Sequence, residues 1–195
     1  MLKVALTGGI ATGKSYVLAL LLERGVPVVD ADSIVHELFE PHTLTTQAVV
    51  LEFGHAILSD DGSVDRAILA SKVFTDPMAR LRLETIVHPA VYEKIREWFV
   101  TVARPMAVAS IPLLYETRRE GDFDVVVVTA CQADQQLERI MARGLSEQDA
   151  RLRMAAQIPT DEKVARADYV IWTDGTMAET RAQVDELLTT LAKIG

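Results

Sequence analysis

One cysteine in 195 residues, no asparagine and no long apolar run set the first limits on this chain. Cys131 has no partner for an internal disulfide, and the chain reads as cytoplasmic. Its thiol is read as a small core group rather than a nucleophile. No apolar run approaches the roughly 20 residues of a membrane span. Met1 leads straight into a strand-like run, without the charged segment and cleavage site of a secretion signal. A basic surplus is missing too. Net charge is -8 and the pI about 5.0, so no positive field offers itself to nucleic acid or to an anionic membrane. An anionic substrate must be met by a local basic site. The lack of asparagine is what genome composition or heat tolerance would each produce.

What is present begins at residue 4. The apolar run Val4-Ala5-Leu6 leads into Thr7-Gly8-Gly9-Ile10-Ala11-Thr12-Gly13-Lys14-Ser15, which contains G-x-x-x-x-G-K-[ST]. A helical pattern leads out, with Val17, Leu18, Leu21 and Leu22 on one face and Gly25 closing it. Strand, glycine-rich loop and helix are the context in which this motif binds phosphate. Glycine lets the backbone approach an anion closely and turn successive N–H groups inward. The helix N-terminus adds partial positive charge. Lys14 has the reach for the β- and γ-phosphates of a nucleotide, and the Ser15 hydroxyl suits Mg²⁺.

The length and a 49% hydrophobic content suffice for one domain with a small appendage. Five apolar runs read as buried strands, at residues 3–7, 26–29, 106–111, 125–129 and 169–172. Helical patterns separate them. This alternation predicts an α/β fold with a parallel sheet covered on both faces.

The second strand runs into Asp30-Ala31-Asp32-Ser33. Ligands sit at the carboxyl ends of parallel strands. Asp32 there suits a catalytic base taking the proton of an attacking hydroxyl, and Asp30 or Asp32 equally suits a helix N-cap. Residues 41–105 form a long, mostly helical insertion, read as an acceptor-binding lobe. Within it Asp60-Asp61-Gly62-Ser63 is a turn, Asp65 caps a helix to Phe74, and Asp76-Pro77 opens another. His88-Pro89 is expected to start a further helix, which Arg104-Pro105 ends; His88 is read as helix entry rather than catalysis.

The third strand continues into Pro112-Leu113-Leu114-Tyr115-Glu116. Pro112 stops sheet pairing. The next three side chains would wall an apolar or aromatic substrate group, and ordinary packing under a loop fits them as well. Past the fourth strand, Leu137, Ile140 and Met141 form a buried stripe, with Arg139 and Arg143 together on another face. Gly144 ends that helix and Ser146-Glu147-Gln148-Asp149 opens the next. Two arginines on a helix hairpin suit a mobile lid that steadies a transferring phosphoryl group; a solvated basic face is the plainer alternative. Arg151, Arg153 and Gln157 follow as weaker candidates. The fifth strand ends at Thr173-Asp174-Gly175, a turn placed to meet a nucleotide base. A closing helix over 178–194 turns Val184, Leu187, Leu188 and Leu191 inward.

Taken in order, these residues resemble the dephospho-coenzyme A kinase family over almost the whole chain. The resemblance rests on Leu6-Thr7-Gly8-Gly9-Ile10 with Gly13-Lys14-Ser15, and on Gly25-Val26-Pro27 with Asp30-Ala31-Asp32. It continues through His88-Pro89, Pro112-Leu113-Leu114-Tyr115-Glu116, Gln136-Leu137 with Arg139 and Arg143, Gln157 with Lys163, and Ala167-Asp168 with Asp174-Gly175. It implies a three-layer P-loop kinase fold with a five-stranded parallel sheet. Core segments would be 1–40, 106–133 and 164–195, with a helical substrate lobe at 41–105 and a helical lid at 134–163. It implies ATP as donor, Mg²⁺ as metal and the ribose 3′-hydroxyl of dephospho-coenzyme A as acceptor. Lys14, Asp32 and Arg139 would be catalytic. Gly9, Ala11, Thr12, Gly13, Lys14, Ser15, Tyr16, Arg143, Thr173 and Gly175 would hold the nucleotide, with Ser15 on the metal. Thr7, Asp32, His88, Leu113, Leu114 and Tyr115 would meet the acceptor.

The sequence departs from the family pattern in four places. Ala11 stands for a usual glycine. Tyr16 puts a ring where a threonine hydroxyl often contacts the α-phosphate. Tyr115 replaces a common phenylalanine, and Thr173 replaces an asparagine near the adenine. Alternatives are a P-loop kinase of another small hydroxyl acceptor and a nucleotide-binding switch. A switch of the GTPase kind needs N-K-x-D and D-x-x-G. The chain has no asparagine, and no glycine has Asp three residues before it. No exposed apolar stripe stands apart from the core pattern, and no oligomeric state follows.

Overall fold

The structure is a computed structural model and describes residues 1–74 and 76–194. The strands are β1 (Leu2–Gly8), β2 (Val28–Asp30), β3 (Met106–Ser110), β4 (Val125–Ala130) and β5 (Tyr169–Trp172). They form one sheet in the order β2-β3-β1-β4-β5, and β1 pairs parallel with both β3 and β4. Alternation along the strands divides the side chains between two faces. Leu2, Val4 and Leu6 join Val108, Val125, Val127 and Ile171 in one core cluster. That cluster is completed by Val17, Leu20 and Leu21 of α1 (Lys14–Glu23) and by Val184, Leu187 and Leu191 of α9 (Met177–Leu191). The alternate residues Ala5, Ala107, Ala109, Val126 and Val128 are buried as well. Two covered faces are the reason these runs are apolar without interruption.

The chain divides into two compact units, Met1–Val29 with Val102–Gly195, and Asp30–Thr101. In the first, α1 closes on Gly25, whose φ of 72° is left-handed. The Gly25 N–H donates to the Leu22 carbonyl at 2.9 Å and Val26 N–H to Leu21 at 3.1 Å, the paired bonds of a Schellman cap. Val26 is thus consumed by the cap, and β2 starts at Val28 rather than Val26. The inward face of α1 also differs from the expected one: Leu20 is buried and Leu22 is 55% exposed. With Leu18, Leu20, Leu21 and Leu22 all apolar, the phase of this helix is ambiguous in sequence. Among the described residues the other α-helices of this unit are α6 (Ala133–Met141), α7 (Glu147–Ala155) and α8 (Thr160–Ala165). On α6, Gln136 and Ile140 are buried and Met141 is exposed, so the stripe is shifted from the expected Leu137, Ile140 and Met141. Ser146 caps α7, accepting from Asp149 N–H at 3.1 Å.

The second unit is helical: α2 (Ala31–Leu38), α3 (Leu44–Phe53), α4 (Arg66–Phe74) and α5 (Pro77–Thr101). Asp65 caps α4 through Ala67 and Ile68 N–H, at 2.9 and 3.0 Å. Asp76 caps α5 through Met78 and Ala79, at 2.9 and 3.1 Å. A fresh helix at His88-Pro89 does not appear. Pro89 lies inside the 25-residue α5, which runs on to Thr101. Ala79, Val87, Val91, Ile95 and Phe99 are buried along it, and packing of this stripe against α2, α3 and α4 outweighs the one backbone hydrogen bond that Pro89 removes. Among the described residues, no helix is long and apolar enough to cross a membrane.

Candidate active site

The loop after β1 is held open by fixed close approaches. A Cβ at Gly8 would stand 2.2 Å from Thr129 Oγ1, and one at Gly9 2.7 Å from Thr160 Oγ1. Gly8 admits no side chain, since the Thr129 carbonyl also stands 2.6 Å away, and at Gly9 the Thr160 and Gln136 side chains would have to give way. Gly13 is the N-cap of α1 with φ 86°, and a Cβ there would meet Thr173 Cγ2 at 2.9 Å. Left-handed backbone and lack of space both require glycine. Ala11 also takes a positive φ, 60°, at a cost of about 1–2 kcal/mol for a residue with a Cβ. It stays there because its methyl is packed with Ile140 and Ala150.

Thr12 pins the loop from beneath. Its buried hydroxyl donates to the Gly9 carbonyl at 2.8 Å and lies 2.9 Å from Thr129 Oγ1. Gln136 Nε2 donates to the Ile10 carbonyl at 2.6 Å, and the Ile10 N–H donates to Gln157 Oε1 at 2.8 Å. The Thr12 N–H also donates to the Gly9 carbonyl, at 3.3 Å, and together these contacts fix the loop backbone. Lys14 Nζ lies 2.7 Å from Ser110 Oγ at the end of β3. Ser15 is exposed on the first turn of α1.

Beside the loop lies a cavity of about 440 Å³. Ala11, Gly13, Tyr16, Arg139, Arg143, Thr173 and Gly175 line it, seven of the residues singled out in sequence. Ala142, Met177 and Thr180 complete the wall and had no distinguishing signal. Arg139 spans the site: Nη1 donates to Thr173 Oγ1 at 2.9 Å and to the Ala11 carbonyl at 3.3 Å, and Nη2 to the Thr173 carbonyl. The Thr173 hydroxyl in turn donates to the Thr12 carbonyl at 2.9 Å. Arg139 and Thr173 therefore brace the glycine loop against the end of β5. The Tyr16 hydroxyl donates to the Met177 carbonyl at 3.3 Å, which joins α1 to the start of α9.

The other sequence candidates fall elsewhere. Thr7 is buried and donates to the Pro112 carbonyl at 3.3 Å. Leu113 is half-buried, while Leu114 and Tyr115 are packed inside at 0% and 2% exposure. Tyr115 carries the Arg166 guanidinium 4.2 Å from its ring centroid, and burial pushes its phenol up to about 12. Asp32 and His88 belong to the helical unit. Asp32 is exposed in the first turn of α2, where Asp30 holds the N-cap position without a side-chain cap bond. His88 is half-buried on α5, and burial holds its imidazole below the ordinary range. Cys131 is buried and its thiol is pushed up by that burial.

The family model for dephospho-CoA kinase matches residues 2–179. A dephospho-CoA kinase of Anaeromyxobacter dehalogenans is 46% identical over 192 residues, covering 96% of this chain and 91% of that relative. A crystal structure of a protein from Thermus thermophilus is similar with a TM-score of 0.85 at 33% identity, covering 100% of this chain and 98% of the other. A dephospho-CoA kinase from Campylobacter jejuni is similar with a TM-score of 0.74 at 28% identity, covering 98% and 97%.

Proposed function

The chain belongs to the dephospho-CoA kinase family, and from that premise we propose that it transfers the γ-phosphoryl group of ATP to the ribose 3′-hydroxyl of dephospho-coenzyme A, giving coenzyme A and ADP. The observation that carries this reading is the glycine loop at the N-terminus of α1, with Gly13 left-handed and Arg139 and Arg143 on the wall of the same cavity.

The residues fit a nucleoside triphosphate and its cation. At Gly8, Gly9 and Gly13 a Cβ would press on Thr129, Thr160 and Thr173, so the loop lies packed against these side chains, and its N–H groups would meet the phosphates. Lys14 would hold the β- and γ-phosphates, and the exposed hydroxyl of Ser15 would hold Mg²⁺. When bound, the cation supplies charge neutralisation at the phosphates. Arg139 steadies the charge that spreads over the transferring group, with Arg143 in support. Thr173 and Gly175 meet the base. Asp32 orients the attacking hydroxyl and receives its proton. The helical unit carries the acceptor, with His88 as a contact; in the turn at 113–115 only the half-buried Leu113 is left open to a ligand; and the hairpin between α6 and α8 acts as a lid.

Two substitutions test the assignment of roles. Asp32→Asn keeps shape and removes the proton acceptor, and should cost about 100-fold or more in kcat, the usual scale for a positioned base. Lys14→Ala should abolish transfer while α1 stays folded by circular dichroism. A folded Asp32→Asn enzyme with full kcat would remove Asp32 from the chemistry.

A further inference from the structure

Among the described residues Lys163 is the largest fully buried side chain, at 0% exposure. It sits on α8, and no step of the proposed transfer uses it. Its Nζ is 2.8 Å from Glu116 Oε1 and donates to the Pro112 carbonyl at 3.2 Å. Glu116 Oε1 also accepts the Ile158 N–H at 3.0 Å. The same Pro112 carbonyl takes the Thr7 hydroxyl at 3.3 Å. One buried ion pair thus binds the turn after β3 to both ends of the segment 157–163. One residue before Ile158 is Gln157, whose carboxamide holds the Ile10 N–H of the glycine loop. Thr160, in the same segment, faces Gln136 at 3.4 Å and occupies the space beside Gly9.

A buried ion pair is poor evidence for stability, because an apolar pair of similar volume is often as stable. Glu116 Oε2 is buried with no hydrogen-bond partner among the described residues, so the pair is not an optimised stabilising bridge. An apolar pair would not provide the two directional backbone bonds, to the Pro112 carbonyl and from the Ile158 N–H. We propose that segment 157–163 is a strap coupling the glycine loop to the turn at residues 112–116, with Glu116 and Lys163 as positioning residues that set where Gln157 holds Ile10. The contacts stand independently of the reaction; calling 112–116 the acceptor side rests on the function proposed above. A shift of that turn on acceptor binding passes through Glu116 to Ile158 and Gln157, and so to the loop that carries the phosphates.

The test measures hydrogen exchange together with kinetics. Glu116→Gln and Lys163→Met keep approximate shape and remove one charge each, and Gln157→Ala cuts the strap at its glycine-loop end. All three should raise exchange in peptides spanning residues 8–13 at least fivefold. Each should lower kcat at least tenfold and raise the KM for ATP, measured per folded enzyme. The double variant Glu116→Gln with Lys163→Met should lose no more than the worse single. A purely structural pair would lower the melting temperature and leave the glycine-loop exchange and both constants of the folded enzyme unchanged, and that result overturns the proposal. Where the buried variants do not fold, the wild-type enzyme decides. Adding Mg²⁺ and ADP, with binding confirmed by calorimetry, should protect peptides spanning 110–118; bound nucleotide without that protection also overturns it. A wild-type enzyme inactive on dephospho-coenzyme A would instead count against the function, leaving the exchange result to judge the strap.

Discussion

The Arg139 guanidinium and the Thr173 hydroxyl meet at 2.9 Å, and through them α6, the glycine loop and the end of β5 are held as one body. Thr173 stands where an asparagine is usual in the resembling family, yet its hydroxyl is fully engaged: it accepts from Arg139 and donates to the Thr12 carbonyl at 2.9 Å. Thr173→Val keeps the shape and removes both bonds. Buried hydrogen bonds contribute about 1 kcal/mol each, so the variant should lose roughly 1–2 kcal/mol in urea unfolding. Its KM for ATP should rise severalfold.

Gly13→Ala brings two faults together. The residue would hold a Cβ at φ 86° and press it to 2.9 Å from Thr173 Cγ2. The left-handed backbone alone costs about 1–2 kcal/mol, and displacing Thr173 loosens Arg139. The free loop of the variant relaxes out of this strain and nucleotide binding must restore it, so affinity by calorimetry should fall by about tenfold, since 1.4 kcal/mol is a factor of ten. Unchanged affinity would mean that the cavity beside the loop is not where nucleotide binds.

His88 gives a pH dependence of fixed sign. Burial lowers its pKa, Arg80 adds to the lowering and Glu84 opposes it. The unfolded chain, with an imidazole near 6.5, therefore takes up its proton more readily than the folded one. Stability from this group is complete above about pH 6.5 and is lost as pH falls through the lower folded value. His88→Gln should flatten the fall in urea midpoint from pH 7 to pH 5 relative to wild type. An equal slope in both proteins would contradict the assignment.

Cys131 should be silent in the folded enzyme. It is 4% exposed, and burial pushes its thiol up although Arg139 works the other way. Iodoacetamide at neutral pH should modify it only after unfolding, read by mass spectrometry. Rapid labelling of native protein would show that the packing around β4 opens.

Much of this fold is written in local pattern. The strands at Val125–Ala130 and Tyr169–Trp172 are apolar without a break because both sheet faces are covered, and such runs are readable. The glycine loop is readable because its chemistry needs particular residues at fixed spacing. Where tertiary contact overrides a local rule, reading from sequence failed. Pro89 predicts a helix start and lies inside α5. Leu22 completes a leucine face and is exposed, while Leu20 takes its place. Gln136 illustrates a missed signal, since a glutamine four residues before the buried Ile140 lies on the inward face of α6. Its bond to the Ile10 carbonyl joins residues 126 apart in sequence, as does that of Gln157 over 147 residues. No local pattern encodes such partners.

The most direct test of the account is ADP release from Mg²⁺ and ATP with dephospho-coenzyme A as acceptor, compared with adenosine, AMP, CMP and shikimate. The account predicts a large acceptor-dependent rate with dephospho-coenzyme A alone, and a product with the mass of coenzyme A. A folded, ATP-binding enzyme that dephospho-coenzyme A does not stimulate would contradict it.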